Sequence, residues 1–420
     1  MEQPLTPEER RRIGLVAATA YHPAQPIRDL EAFAGRDQQI QRLVDAVYEE
    51  GSHAMIYGER GVGKTSLANL IRDFLSVIAE DERVFCPHVT CQETDTFDDL
   101  WRKVIAAGRS AKPSFGVSEA IWQAVDRVFE QQEKLDVYSV QMIAAELTQT
   151  HRFVPILDEF DRVHDETVKT LMTDTLKTLS DHNRRATVLL VGVAETVDDL
   201  VEAHASVERC LKQILLPRMA ADEAVEVLNK GERITSIGFD SEATALMVGM
   251  AQGLPACVHR LGLSTTRVAV KNGQRQVTPE LVGQAAEMFL RDSEQSLHRA
   301  YHAATSTPRS DTIFREVLLA CALAPTDLLG YFAPKDVRRP LQQLTGRGYD
   351  IPQFKKHLDK FITEPRGAVL RRVGESRRFR YRFQSPMLQP FVILRGLHDG
   401  LLDQQTLETL QADAESGSSA

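Results

Sequence analysis

The stretch YGERGVGKTSLANL, residues 57–70, constrains this chain more than any other. Gly58, Gly63, Lys64 and Thr65 stand at the fixed positions of G-x-x-x-x-G-K-[ST]. Glycines let a backbone turn so tightly that several N–H groups point at one phosphate chain. The candidate cradle is therefore Gly58, Glu59, Arg60, Gly61, Val62, Gly63, Lys64, Thr65 and Ser66. Lys64 would reach the β- and γ-phosphates of a nucleotide, and the Thr65 hydroxyl would ligate Mg²⁺. The flanks agree. SHAMIYG (52–58) is an apolar run ending in glycine and reads as a buried strand. KTSLANLIRDFL (64–75) carries apolar residues at helical spacing, which sets the phosphates at a helix N-terminus.

A second feature completes the chemistry. FVPILDEFDRV (153–163) is an apolar strand that ends in acids, about 95 residues beyond the loop. In a phosphate-loop enzyme Asp158 would hold Mg²⁺, directly or through water. Glu159 would polarise the attacking water. Asp161 ranks behind both.

Strand-like runs recur at 52–58, 83–91, 153–158, 187–193 and 213–217, with helical segments between them. Such alternation predicts an α/β fold, a mostly parallel sheet with helices on both faces. Residues 92–150 are long for one crossover and should hold several helices. FAGRDQQIQRLVDAV (33–47) reads as a turn and an amphipathic helix. Residues 1–30 read as an N-terminal arm broken by Pro4, Pro7, Pro23 and Pro26, residues 220–300 as helices only, and the tail 412–420 as disordered. At 420 residues the chain has room for two or three domains. It shows no run of eighteen apolar residues and no N-terminal signal, so a cytoplasmic protein with no membrane contact is expected. Five scattered cysteines suit reduced thiols. Cys86, His88 and Cys91 lie close together, but without a second ligand pair they read as strand residues rather than a metal site.

Charge is uneven. The net formal charge is −9, yet residues 331–382 hold fourteen Lys/Arg against five Asp/Glu, leaving −18 on the rest. Within that region DTIFREVLLACALA (311–324), KDVRRPLQQLTG (335–346) and IPQFKKHLDKFITE (351–364) read as three helices. GAVLRRVGESRRFRYRF (367–383) reads as two strands around a Gly-Glu-Ser turn. Three helices and a hairpin make the winged-helix pattern. Its third helix would present Lys355, Lys356 and Lys360 to DNA. The hairpin would present Arg371, Arg372, Arg377, Arg378, Arg380 and Arg382, which strand alternation spreads over both faces. Such a surface suits sequence-independent phosphate contact with duplex nucleic acid, or docking on an acidic protein surface, the chain's own included.

From FAGRDQQI through the phosphate loop and acidic strand to LLVGVAET and HASVERCLKQILLPRM, roughly residues 30–290, the chain resembles the AAA+ superfamily, in its origin-recognition-like and transposon-ATPase-like branch. The resemblance implies ATP as nucleotide and a parallel five-stranded sheet of order 5-1-4-3-2. It also implies a domain plan: an arm (1–30), a nucleotide-binding domain (31–219), a helical lid (220–300), a winged helix (310–395), and a C-terminal helix with its tail (396–420). It places Glu195 or Thr196 as the polar contact to the γ-phosphate. Arg209, in SVER, becomes the arginine finger that completes a neighbouring subunit's site, with Arg218 as the alternative. In the lid stretch AQGLPACVHRLG (251–262), the family's phosphate-contacting arginine falls near Ala256, which cannot serve, so Arg260 or His259 would substitute. GLP there resembles the Gly-x-Pro motif of STAND ATPases, in which the proline, here Pro255, packs on the base.

The function expected is that of an ATP-binding, ATP-hydrolysing protein whose nucleotide state controls homo-oligomerisation and engagement of duplex DNA or a partner. The alternative is a STAND-like switch, ADP-locked at rest, that recruits a separate effector protein without binding DNA. No nuclease, protease or TIR-like effector segment is evident in the sequence. Mobile-element and antiviral-defence settings suit such logic.

Overall fold

The computed structural model describes residues 4–23, 35–78, 83–111, 116–193, 207–307, 312–375 and 378–417. The chain folds as two compact units. One takes residues 1–25, 60–62 and 217–420, the other 26–59 and 63–216.

The stretch expected as a broken arm is a helix, α1 (Pro7–Ala20). Pro7 does not break it, because it stands at the first helical position, where no N–H is needed. Thr6 caps it. The Thr6 hydroxyl accepts from the Glu9 amide, and the Glu9 carboxylate accepts from the Thr6 amide at 2.8 Å.

In the sheet-bearing unit the elements run α2 (Asp37–Tyr48), β1 (His53–Tyr57), α3 (Lys64–Ile78), β2 (Val84–Phe85), β3 (His88–Thr90), α4 (Phe97–Ser110), α5 (Glu119–Gln131), α6 (Val137–Leu147), β4 (Arg152–Phe153), β5 (Ile156–Asp158), α7 (Glu166–His182), β6 (Leu189–Gly192) and β7 (Leu211–Leu215). Five strands form one sheet in the order β3-β5-β6-β1-β7, with every neighbour parallel. Read from the β7 edge and counted along the chain, that is 5-1-4-3-2. Ala54–Ile56, Leu157 and Leu189–Val191 are all buried, so these strands read as unbroken apolar runs rather than alternating ones. Two expected strands are each cut in two. Pro87 separates β2 from β3, and Pro155 separates β4 from β5. Neither proline can donate to the ladder, but both accept from it. Pro87 O accepts from Ile156 N at 2.8 Å, and Pro155 O from Leu189 N at 2.9 Å. The β2–β4 pair thus stands apart as a two-stranded parallel sheet. Among the helices, α2 packs on β1 and β7, α3 on β5 and β6, and α4 on β3.

The other unit continues with α8 (Ala221–Thr235), β8 (Gly238–Phe239), α9 (Ser241–Ala251), α10 (Pro255–Asn272), β9 (Gln276–Val277), α11 (Pro279–Arg291), α12 (Gln295–Thr305), α13 (Phe314–Ala322), α14 (Pro334–Thr345), α15 (Ile351–Phe361), β10 (Leu370–Val373), β11 (Arg380–Phe383), α16 (Leu388–His398) and α17 (Gln404–Gly417). Residues 220–300 are not wholly helical, since β8 and β9 form a short parallel pair. The tail is helical as far as Gly417, and residues 418–420 lie outside the described residues.

Helix α1 packs on α8 and α10. The buried Tyr21 ring seats where two glycines face it. A Cβ on Gly231 would stand 2.0 Å from the Tyr21 hydroxyl oxygen, and one on Gly262 would stand 2.3 Å from the ring. Helices α13, α14 and α15 pack together, and β10 and β11 pair antiparallel beyond them. Phe332 bridges Tyr381, adding a third short edge to that hairpin. Helix α16 packs on α11, α12 and α13, while α17 packs on α9 and α14. All five cysteines are buried, and none forms a disulfide. No helix of the described residues is long and apolar enough to cross a membrane.

Candidate functional site

The site is built at the carboxyl ends of the parallel strands. Register sets its levels. Met55 on β1 aligns with Leu190 on β6, which aligns with Leu157 on β5. Asp158, the last residue of β5, therefore stands one step beyond that row, and Gly58 follows Tyr57 at the same end of β1. One strand lies between them, so the loop and the acid are separated by two strand spacings, about 10 Å in the sheet plane.

Between β1 and α3 the chain makes the expected tight turn. Gly61 and Gly63 have φ of +84° and +100°, conformations that side-chain-bearing residues rarely adopt. A Cβ added at either would meet nothing within 4 Å, so both face open space. Val62 is buried and Arg60 is exposed. Lys64 folds back, its Nζ donating to Gly58 O at 3.1 Å and Glu59 O at 2.8 Å. Lys64, Thr65 and Ser66 form the first turn of α3, where the helix dipole favours an anion. Glu59 is buried beside them.

Asp158 is 3% exposed. One carboxylate oxygen accepts from the Glu159 amide at 2.8 Å, and the other lies 3.3 Å from His88 Nε2 on β3. The sequence showed His88 only as a strand residue. Its tie to Asp158 depends on β3 pairing with β5, with Thr90 opposite Asp158, and pairing of that kind leaves no local signal. Glu159 holds a left-handed conformation (φ 55°, ψ 37°), which costs about 1 kcal/mol for a residue with a side chain. That kink turns Glu159 out of the strand. Its side chain is 49% exposed and pairs with Arg162 at 3.2 Å. Asp161 follows in a single 3₁₀ turn, Phe160–Arg162. The donors that fit a hard cation are one hydroxyl, Thr65, and one carboxylate, Asp158, which leaves the other positions to phosphate and water as Mg²⁺ prefers. No group of three or more His, Cys, Asp or Glu gathers as a metal cage among the described residues.

Residues 47–200 match the profile of the AAA domain family. The Walker-type ATPase of Pyrococcus abyssi superposes over 88% of this chain and 98% of its own, with a TM-score of 0.50 and 16% identity. This chain has the α/β AAA+ fold. Among curated proteins it resembles the ORC1-type DNA replication protein 1 of Methanosarcina acetivorans, 24% identical over 267 residues and 59% of this chain. The corresponding protein of Methanosarcina mazei is 23% identical over 266 residues. The chain spans 58% of the length of these curated relatives.

The remaining candidates divide. Glu195 and Thr196, expected at the end of β6, lie outside the described residues. Arg209 occupies a turn just before β7. Its side chain is 65% exposed and pairs with Asp181 at 3.0 Å. Arg218 donates to Gln252 O at 3.1 Å. Pro255 is the first residue of α10. Arg260 and His259, considered as lid contacts to phosphate, are both turned inward. Arg260 lies over the Phe289 ring at 4.4 Å and donates to Asp292 O, because the helix register of α10 directs it onto α11. His259 is buried, with Nδ1 accepting from the His22 amide at 3.4 Å.

In the basic module, Lys355 pairs with Asp359 at 2.8 Å, and Arg372 pairs with the same carboxylate at 3.2 Å. Asp359, one helical turn past Lys355, thus offsets part of the charge expected on α15. Lys356 and Lys360 are exposed. Arg378 is exposed, and Arg377 lies outside the described residues. The strand arginines do not divide evenly between faces. Arg371 pairs across from Arg382 and Val373 from Arg380, so Arg371, Arg380 and Arg382 share one face. Arg372 alone takes the other, beside the buried Tyr381. Arg380 and Arg382 lie over the Tyr331 ring at 5.4 and 4.7 Å, and Arg380 pairs with Asp327.

Proposed function

We propose that the protein binds ATP in the Gly58–Ser66 loop, hydrolyses it with Asp158 and Glu159, and uses the nucleotide state to control engagement of duplex DNA. The observation that carries this reading is the shared edge: the loop and the two acids follow strands that end on the same side of one parallel sheet. The AAA-domain match and the Walker-type ATPase likeness support the nucleotide half, and the resemblance to ORC1-type DNA replication proteins supports the DNA half.

Each residue has a task. The turn at Gly61 and Gly63 and the first amides of α3 cradle the phosphates. Lys64 exchanges its two backbone carbonyls for phosphate oxygens. Thr65 and Asp158 would hold Mg²⁺, which neutralises phosphate charge as the bond breaks. Glu159, turned into solvent by its left-handed backbone, accepts the proton of the attacking water. Arg209, exposed on the surface, would reach a neighbouring copy's site as an arginine finger, so ATP drives self-association. On the proposed winged helix, the face bearing Arg371, Arg380 and Arg382 contacts the DNA backbone. Sharing Asp359 with Arg372 leaves Lys355 a weaker contributor.

The test is ATP binding by calorimetry and ATP turnover for three proteins. Wild type should bind and hydrolyse. Lys64→Ala should lose both, and Glu159→Gln should bind normally and turn over about 10²- to 10⁴-fold more slowly. Undiminished turnover in Lys64→Ala would end the proposal. The mass of Glu159→Gln in solution with ADP, then with ATP and Mg²⁺, then with added duplex DNA, tests assembly. A monomer throughout would remove the finger and the DNA-coupled step.

A further inference from the structure

A cavity of about 610 Å³ opens between α12, α13 and α16, far along the chain from the phosphate loop and wholly within the unit that contains residues 217–420. Its lining is of two kinds. His298 and Tyr301, both half-buried, stand edge-on to the fully buried Phe391, with ring centroids at 5.0 and 5.9 Å. Arg299, Arg315 and Arg395 complete it, with Arg315 hydrogen-bonded to Tyr301. His298 and Tyr301 share a wall because they lie three residues apart on α12.

The lining itself is cationic. Arg315 and Arg395 converge on one oxygen of Asp399, whose side chain is 14% exposed. Asp399 thus serves two guanidiniums, Glu316 adds a second negative charge near Arg315, and no carboxylate is among the residues that line the cavity itself. Guanidinium forks match phosphate geometry, and aromatic faces beside them accept a flat ring. A volume of this size falls within the range of small-molecule sites.

We infer that this cavity is a nucleotide-monophosphate site, binding phosphate through Arg299, Arg315 and Arg395 and stacking the base on the aromatic wall. The same chemistry is supplied by a free mononucleotide or by one nucleotide of a single strand. The site is independent of the phosphate loop, and its test is arranged to keep the two apart.

The test uses full-length Lys64→Ala protein, so that the loop contributes no signal, with two probes. AMP is titrated by calorimetry up to about 1 mM, the weak end of useful affinity. A fluorescein-labelled ten-nucleotide oligo(dT) is followed by anisotropy. Arg299→Glu and Arg395→Gln are then added singly. Arg299 is exposed on α12, and Asp399 keeps Arg315 as a partner when Arg395 is replaced, so both variants should fold. Saturable AMP binding that weakens tenfold or more in both variants assigns the site to free nucleotide. Saturable oligo(dT) binding alone, weakened likewise, assigns it to single strands. Binding of neither probe, or binding that both variants leave unchanged, overturns the inference.

Discussion

His53 lies inside the sheet and holds one protonation state by geometry. Its Nδ1 accepts from the Val188 amide at 3.0 Å, and its Nε2 donates to Leu176 O at 2.7 Å. A second proton would replace the accepting lone pair with a donor facing a donor. Burial accordingly pushes the imidazole down to about 4 from an ordinary value near 6.5. His259 and His357 move in the same direction, also to about 4 and also first through burial. Between those values the unfolded chain binds more protons than the folded one, so stability rises with pH. It is fully present above about 6.5 and is lost as pH falls towards 4, by on the order of 3 kcal/mol for His53. Urea midpoints measured from pH 7.5 to 4.5 should fall with acid, and His53→Gln should flatten part of that slope. An unchanged slope in the variant would mean that another group carries the dependence.

At the scale of elements, α1 rests on a ring placed against two helix glycines. In isolation Gly262→Ala should favour α10 by about 1 kcal/mol through helix propensity. The new Cβ would stand 2.3 Å from the Tyr21 ring, however, and overpacking of that kind costs about 1–3 kcal/mol, so the net effect should be destabilising. Tyr21→Ala combined with Gly262→Ala should recover part of the loss, and a double-mutant cycle with no coupling would show that the ring does not sit there. Helix α1 also marks the limit of what the sequence displayed. Pro4, Pro7, Pro23 and Pro26 suggested an arm, whereas the structure opens a helix there with the Thr6–Glu9 capping box. The parallel sheet was legible because its strands are buried on both faces and so spell long apolar runs. Pro87 and Pro155 hid the breaks, since a proline within an apolar run does not reveal which partner's ladder it interrupts. At the site, Gly61, Gly63, Lys64 and Asp158 were readable from local spacing. His88 beside Asp158, Arg372 beside Asp359 and Arg260 over Phe289 were not, because each depends on a neighbour supplied by another element.

The whole molecule is two units, and both tryptophans, Trp101 and Trp122, belong to the one that holds the sheet. Tryptophan emission therefore reports one unit, while far-ultraviolet dichroism reports both. In the other unit Gln389, 1% exposed, donates to Ala322 O at 2.8 Å and to the Gln252 side chain at 3.2 Å, joining α16 to α13 and to the turn after α9. Gln389→Leu leaves the Ala322 carbonyl without that donor and should cost about 1–3 kcal/mol. The expected result is a dichroism transition shifted downward with an unmoved tryptophan transition. Both shifting together would show a single cooperative body. The same division has a consequence in time. The unit that begins with α1 is completed only by residues after 216, so the sheet-bearing segment interrupts it. On a ribosome α1 emerges before α10 and waits for it, some 235 residues later. At about 5–20 residues per second that delay is roughly 12–47 seconds. During synthesis Tyr21 is thus an unsheltered aromatic for most of a minute at the slow end, and the sheet can close before the helix that precedes it has anywhere to dock.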